Sequence, residues 1–185
     1  ENNMAFSVTE FQGQMEFGGA RPSLFECNIT NPFNSSADDK VRFMCRTAQI
    51  PASTVGVIPV SYFGRPVKFA GNRTFEPWTV TILNDEDFAV RSTLEEWHQN
   101  INTTVGNVRQ AGAGPEAYKS QASVIHYGKQ GNILREYKFV GMFVSNIAAI
   151  DLDWSNEGLE EFQVTFEYDY FTVDNASEFG IAINT

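Results

Sequence analysis

Histidine and cysteine are scarce in this sequence, two of each in 185 residues, and that scarcity removes several kinds of chemistry at once. His98, His126, Cys27 and Cys45 offer neither an HExxH pair nor the paired-cysteine spacing that zinc sites use. Two cysteines make no disulfide framework. Each falls on the apolar phase of a strand-like stretch, the ordinary place for a small buried thiol. Also missing are a Gly-x-Ser-x-Gly elbow, a Walker sequence and a dinucleotide fingerprint. Asp85-Glu86-Asp87 and Asp151-x-Asp153-x-Ser155 begin like calcium loops, but Val90 and Asn156 stand where the loop requires glycine. No catalytic residue, metal or cofactor is therefore expected.

No run of about 18 apolar residues is present to cross a membrane as a helix. The opening ENNMAFSVTE has no basic region followed by an apolar core, so no secretory signal is expected. A reducing, cytosolic site of assembly fits the cysteine usage. Basic residues are in deficit, 13 against 23 acids for a net charge of −10, which disfavours binding to nucleic acid or to an anionic membrane.

What the chain does have is apolar and aromatic content, 42% and 14% with 16 phenylalanines, enough to bury the core of one domain. Its charge is unevenly spread. Residues 40–73 hold Lys40, Arg42, Arg46, Arg65, Lys68 and Arg73 without an acid, whereas residues 151–185 hold nine acids without a Lys or Arg. Such complementary blocks suit matching within one subunit, identical subunits packed head to tail, or two solvated faces.

Residues 1–19, with Phe6, Phe11 and Phe17 spaced along a glycine-containing stretch, read as an arm that needs a surface to pack on. Phe25, Cys27 and Ile29 alternate with polar residues as a strand, and Val41, Phe43 and Cys45 alternate with Arg42, Met44 and Arg46 as a second, separated by a turn at Asn31–Asp39. Pro51, Pro59 and Pro66 punctuate an extended stretch around Phe63-Gly64, which reads as a long, exposed hairpin. Trp78, Val80 and Ile82 mark another strand.

The period then changes. Val90, Leu94, Trp97 and Ile101 are spaced by four, three and four, one face of a helix over 85–101 with Asn84 as N-cap and three acids in the first turn. A glycine-rich loop over 102–120 leads to a hairpin turning at 128–132. In the closing strand, Phe162, Val164, Phe166, Tyr168 and Tyr170 alternate with Glu161, Gln163, Thr165, Glu167 and Asp169. Seven or so strands and one helix predict a mainly β subunit, a sandwich or barrel with one flanking helix and extended loops.

Three segments carry a specific resemblance: ARPSLFECNI from Ala20, FAGNRTFEPWTVTILNDED from Phe69, and LDWSNEGLEEFQVTFEYDYF from Leu152. In this order, with the helix between, they resemble the tail tube proteins of contractile-tailed phages of the T-even type. The likeness spans 20–171 as one tube domain, between the arm at 1–19 and a tail at 172–185. It implies a barrel-like subunit that forms homohexameric rings, stacked helically into the virion's inner tube. It also implies contacts with tail sheath protein, baseplate hub, tape-measure protein and tail terminator, assembly in the host cytoplasm, and DNA that passes through without specific binding. The tube proteins of type VI secretion systems and contractile bacteriocins are similar in fold and give the nearest alternative. A monomeric β-sandwich binding module is a more distant one.

Four surfaces are expected to serve such an assembly. The hairpin tip Tyr62, Phe63, Gly64, Arg65 and Pro66 is expected to stack rings, and Phe6, Phe11 and Phe17 to contact neighbours. Val90, Leu94, Trp97 and Ile101 are expected to seat the helix on the barrel. Glu161, Glu167 and Asp169 are candidates for lining the lumen, where rings of acid would repel phosphate; the competing placement sets them against a neighbour's basic block.

Overall fold

Alternation of apolar and polar side chains dictates how β5 (Trp78–Leu83) and β8 (Glu161–Glu167) pack. Trp78, Val80 and Ile82 pair across the ladder with Phe166, Val164 and Phe162, and all six are buried. The computed structural model describes residues 8–15, 19–110, 112 and 114–175. Its elements run α1 (Val8–Gln14), β1 (Phe25–Ile29), α2 (Asp38–Met44), β2 (Cys45–Ala48), β3 (Ser53–Tyr62), β4 (Arg65–Phe75), β5, α3 (Ala89–Ile101), β6 (Ser120–Tyr127), β7 (Ile133–Ile147), β8 and β9 (Tyr170–Asn175).

Seven strands form one antiparallel sheet in the order β1-β6-β7-β8-β5-β2, with β9 also pairing β7. The sheet curls until its terminal strands β1 and β2 approach each other, and α2 packs over β1. Cys27 and Cys45, on β1 and β2 at this seam, are free thiols, and the Cys45 S–H donates to the Thr47 carbonyl at 3.6 Å. Inside, the Trp78 ring stacks on Phe139 at 4.4 Å and lies 5.5 Å from Phe166. One face of α3, through Val90, Leu94 and Trp97, closes this core. Each large aromatic buried there contributes a few kcal/mol of hydrophobic stabilisation. The mainly β, barrel-like class read from the sequence is what forms, with three α-helices among the described residues rather than one.

Three elements differ from expectation. The strand expected at Val41–Arg46 is α2 up to Met44. The N-cap Ala37, Val41 and the half-buried Met44 are spaced by four and three, a helical face that outweighs the coincidental alternation. Phe43, assigned inward by alternation, is exposed beneath the Arg42 guanidinium at 5.7 Å. Two acids, Asp38 and Asp39, occupy the first turn, where the helix dipole favours them.

The second difference is the start of α3, which begins at Ala89 after Phe88 in a left-handed conformation (φ 51°) with no side-chain cap. Asn84 is not the cap; its backbone and side chain instead bond to Glu160. Asp87 does accept from the Ala89 backbone N–H at 3.0 Å, one of the helix's open donors.

Third, the closing strand is two. β8 ends at Glu167 and β9 begins at Tyr170, continuing past position 171 to Asn175. Long β7 bonds β9 along Arg135–Val140 and β8 from Phe143 onward. At the changeover Gly141 has φ +70°, and a Cβ there would lie 2.1 Å from the Asp169 carboxylate. Only glycine suits that bend. Because the ladder breaks there, Tyr170 faces outward and Tyr168 is only half-buried.

Candidate functional site

β3 and β4 form a two-stranded ribbon of their own, outside the main sheet. Register places Ile58 opposite Phe69, Val60 opposite Val67 and Tyr62 opposite Arg65, and paired residues share a face. One side of the ribbon is therefore an apolar stripe of Ile58, Val60, Tyr62, Val67 and Phe69, all exposed. An apolar stripe left in water marks an interaction surface.

The tip joins Tyr62 to Arg65 through two residues with positive φ, Phe63 at 47° and Gly64 at 76°. This is the backbone of a type I′ turn, whose first position prefers Asn, Asp or Gly. Phe63 occupies it at a steric cost and is 91% exposed. An exposed aromatic ring is thus held at a strained turn position.

The basic block divides in two. Lys40 lies between Asp85 and Asp87, Arg42 engages Glu26, and Arg46 pairs with Glu161, all within the subunit. Asp85 and Asp87 are thus a clamp for Lys40, whose proximity holds both carboxyls below the usual range. Glu26 also accepts hydrogen bonds from Asn28 and Tyr127. Burial pushes its carboxyl up, but those bonds and Arg42 together hold it low. The other three cations, Arg65, Lys68 and Arg73, lie on the ribbon, where no acid is present in the sequence from 53 to 75.

The acidic block divides similarly. Glu161 engages Arg46, Asp169 binds Lys119 at 2.7 Å and Asp174 binds Lys138 at 2.6 Å. Glu161, Gln163, Thr165 and Glu167 share the outer face of β8, while Asp169 sits in the bend between strands beside Gly141. Residues 148–160 form a loop on which Asp151, Asp153 and Glu157 are exposed together with Leu152, Trp154 and Leu159. Sequence reading missed this loop as a surface. Its signal was apolar residues among acids in a segment without regular periodicity.

Of the helix residues expected to pack, Val90, Leu94 and Trp97 are buried and Ile101 lies against the core's edge. The Trp97 indole N–H donates to the Tyr118 carbonyl at 2.9 Å. Phe11 is exposed on the short helix α1, while Phe6 and Phe17 lie outside the described residues. His126 hydrogen-bonds through Nε2 to the Arg21 carbonyl at 2.8 Å. Among the described residues no group of three or more His, Cys, Asp or Glu gathers as a metal site.

The ribbon stands exposed on a barrel-like body, and known proteins share the sequence and fold of that body. The family model described as phage tail tube protein matches residues 8–174. The tail tube protein gp19 of Enterobacteria phage T4 is 35% identical over 154 residues, covering 82% of this chain and 90% of that one. Among solved structures, a chain of the anti-feeding prophage baseplate, 6-fold symmetrised, superposes with a TM-score of 0.63 at 10% identity, covering 85% of this chain and 97% of its own. A chain of the sheath-tube complex of the extracellular contractile injection system PVC gives a TM-score of 0.58 at 10% identity, covering 92% and 99%. At that identity the two structures speak for the fold alone. The matched family and the 35% identity reach almost the whole described body, and by them this chain belongs to the phage tail tube protein family.

Proposed function

We propose that this chain closes into hexameric rings which stack helically as the inner tube of a contractile tail, the conduit for genome ejection, with the β3–β4 ribbon joining one ring to the next. The observation that carries the stacking role is the ribbon itself: a projecting apolar stripe, three cations without acids among them, and a strained aromatic tip. An isolated domain gains nothing from such a feature. Sheath protein outside the tube, a terminator and baseplate hub at its ends and a tape-measure protein within it are the partners this role implies, with assembly in the host cytoplasm. The arm before residue 20, including Phe6, Phe11 and Phe17, is assigned to packing between subunits.

For the lumen we favour the outer face of β8. Gln163 and Glu167 remain available there, whereas Glu161 and Asp169 already hold Arg46 and Lys119. A net charge of −10 fits a channel that must let DNA pass without retaining it. Deleting Tyr62–Pro66 tests the stacking role. The expected outcome is folded protein that forms no tubes by negative-stain microscopy, and tubes of ordinary length from this deletion would overturn the assignment.

A further inference from the structure

The ribbon needs a receptor, and the fold offers one at the far end of the subunit. We infer that the β3–β4 ribbon of one copy docks on the 148–160 loop of the next copy along the stack. This rests on the proposal that the ribbon joins rings, and it adds the surface that receives it.

Charge is the first argument. The ribbon segment 53–75 carries Arg65, Lys68 and Arg73 with no acid, and the loop 148–160 carries Asp151, Asp153, Glu157 and Glu160 with no cation. Of those four acids, Glu160 alone is tied back to the barrel among the described residues, through Asn84. Both surfaces are also apolar. Trp154 is 106% exposed, with Leu152 and Leu159 nearly as open. Tryptophan beside aliphatic residues is the composition of an interface hot spot, and an acidic surround supplies both steering and register to a cationic partner.

Position is the second argument. In the β5–β8 pair, Trp78 lies opposite Phe166 and Leu83 opposite Glu161. The ribbon's second strand ends at Phe75, just before Trp78, so the ribbon departs from the Trp78–Phe166 end. The loop enters β8 at Glu161 and so departs from the opposite, Leu83–Glu161 end. Six residues of strand separate the two ends by roughly 20 Å. Complementary surfaces at opposite ends of one body pair head to tail between copies, and repeated head-to-tail pairing generates a stack. The flanking cations Lys40, Arg42 and Arg46 are already matched within the subunit, which leaves the block's other three cations, all on the ribbon, without an ion pair among the described residues.

The test uses the full chain in a tube-assembly assay, with circular dichroism to establish that each variant is folded. Arg65→Glu, Lys68→Glu and Arg73→Glu made together should cut sedimentable tubes at least tenfold. So should Asp151→Lys, Asp153→Lys and Glu157→Lys made together. Mixing the two sets in one chain should restore assembly. If the ribbon set assembles normally, the ribbon has no stacking role and both proposals fail. If the ribbon set is blocked while the loop set assembles normally, stacking by the ribbon stands and the loop is not its receptor. A photo-crosslinking phenylalanine analogue at position 63 of otherwise unaltered tubes decides the case in which both sets are blocked and the combination is not rescued. Adducts between copies that map to 148–160 support the docking, and adducts elsewhere or none overturn it.

Discussion

Replacing Trp97 with alanine should be among the most damaging single changes outside the interfaces. The side chain is fully buried, its ring centroid is 6.3 Å from that of Phe166, and its N–H is bonded to the Tyr118 carbonyl. A buried tryptophan removes about 150–250 Å² from water, which at about 25 cal/mol per Å² sets an upper bound of roughly 4–6 kcal/mol. Large-to-small truncations in cores cost about 3–5 kcal/mol, and leaving the Tyr118 carbonyl without its donor adds about 1 kcal/mol. The sum is about 5 kcal/mol. For a domain of this size that lowers the thermal midpoint by about 10–20 °C. Trp97→Phe keeps most of the apolar area and loses the hydrogen bond, so its cost should be about 1–2 kcal/mol. Melting of unassembled protein, followed by circular dichroism, measures both. A midpoint within about 2 °C of wild type for Trp97→Ala would refute the burial argument. Equal losses for the two variants would assign the stability to the hydrogen bond instead.

Three further outcomes are expected. Phe63→Asn places a residue suited to positive φ at the strained turn position, so the unassembled protein should melt at the same temperature or higher while tube formation falls; unimpaired assembly would show that the Phe63 ring makes no contact. Gln163→Lys with Glu167→Lys should give intact tubes that retain DNA at low salt and release it at high salt, whereas loss of tubes would place that face in an interface. Glu26, held below the ordinary glutamate value of about 4.3, contributes stability that is present above that value and lost as pH falls through its lower folded one. The difference in denaturant midpoint between wild type and Glu26→Gln should therefore favour wild type at neutral pH and shrink in strong acid, and a difference independent of pH would contradict it.

The elements that could be read from sequence were those whose packing is local and one-sided. β5 alternates strictly because one face is core, and α3 shows its spacing of four and three because a single stripe is buried. The ribbon was legible from Pro59, Pro66 and Phe63-Gly64, which punctuate a segment that no core would accommodate. α2 was not, because in seven residues only Val41 is fully buried and a short helix leaves too few contacts to fix a period. The break between β8 and β9 depends on Gly141, more than twenty residues away in sequence, and no local pattern around Tyr168 reports it. The charge blocks were visible as composition, but which of their members find partners at home is decided by the chain's course in space. Lys40 and Asp87 are 47 positions apart, and Arg46 and Glu161 are 115 apart.

The main sheet curls until its terminal strands β1 and β2 approach each other, whereas among the described residues each strand of the β3–β4 ribbon pairs only with the other. Free edges on an apolar ribbon invite two ribbons to zip together in the soluble pool before either reaches a growing particle. Pro59 and Pro66, each lacking an amide donor, interrupt those edges, and Lys68 opposite Pro59 adds charge repulsion between like ribbons. Under the proposed stacking role, the same residues that interrupt the ribbon's edges act as gatekeepers against aggregation, so that an exposed docking element need not pair with its own kind before it meets a ring.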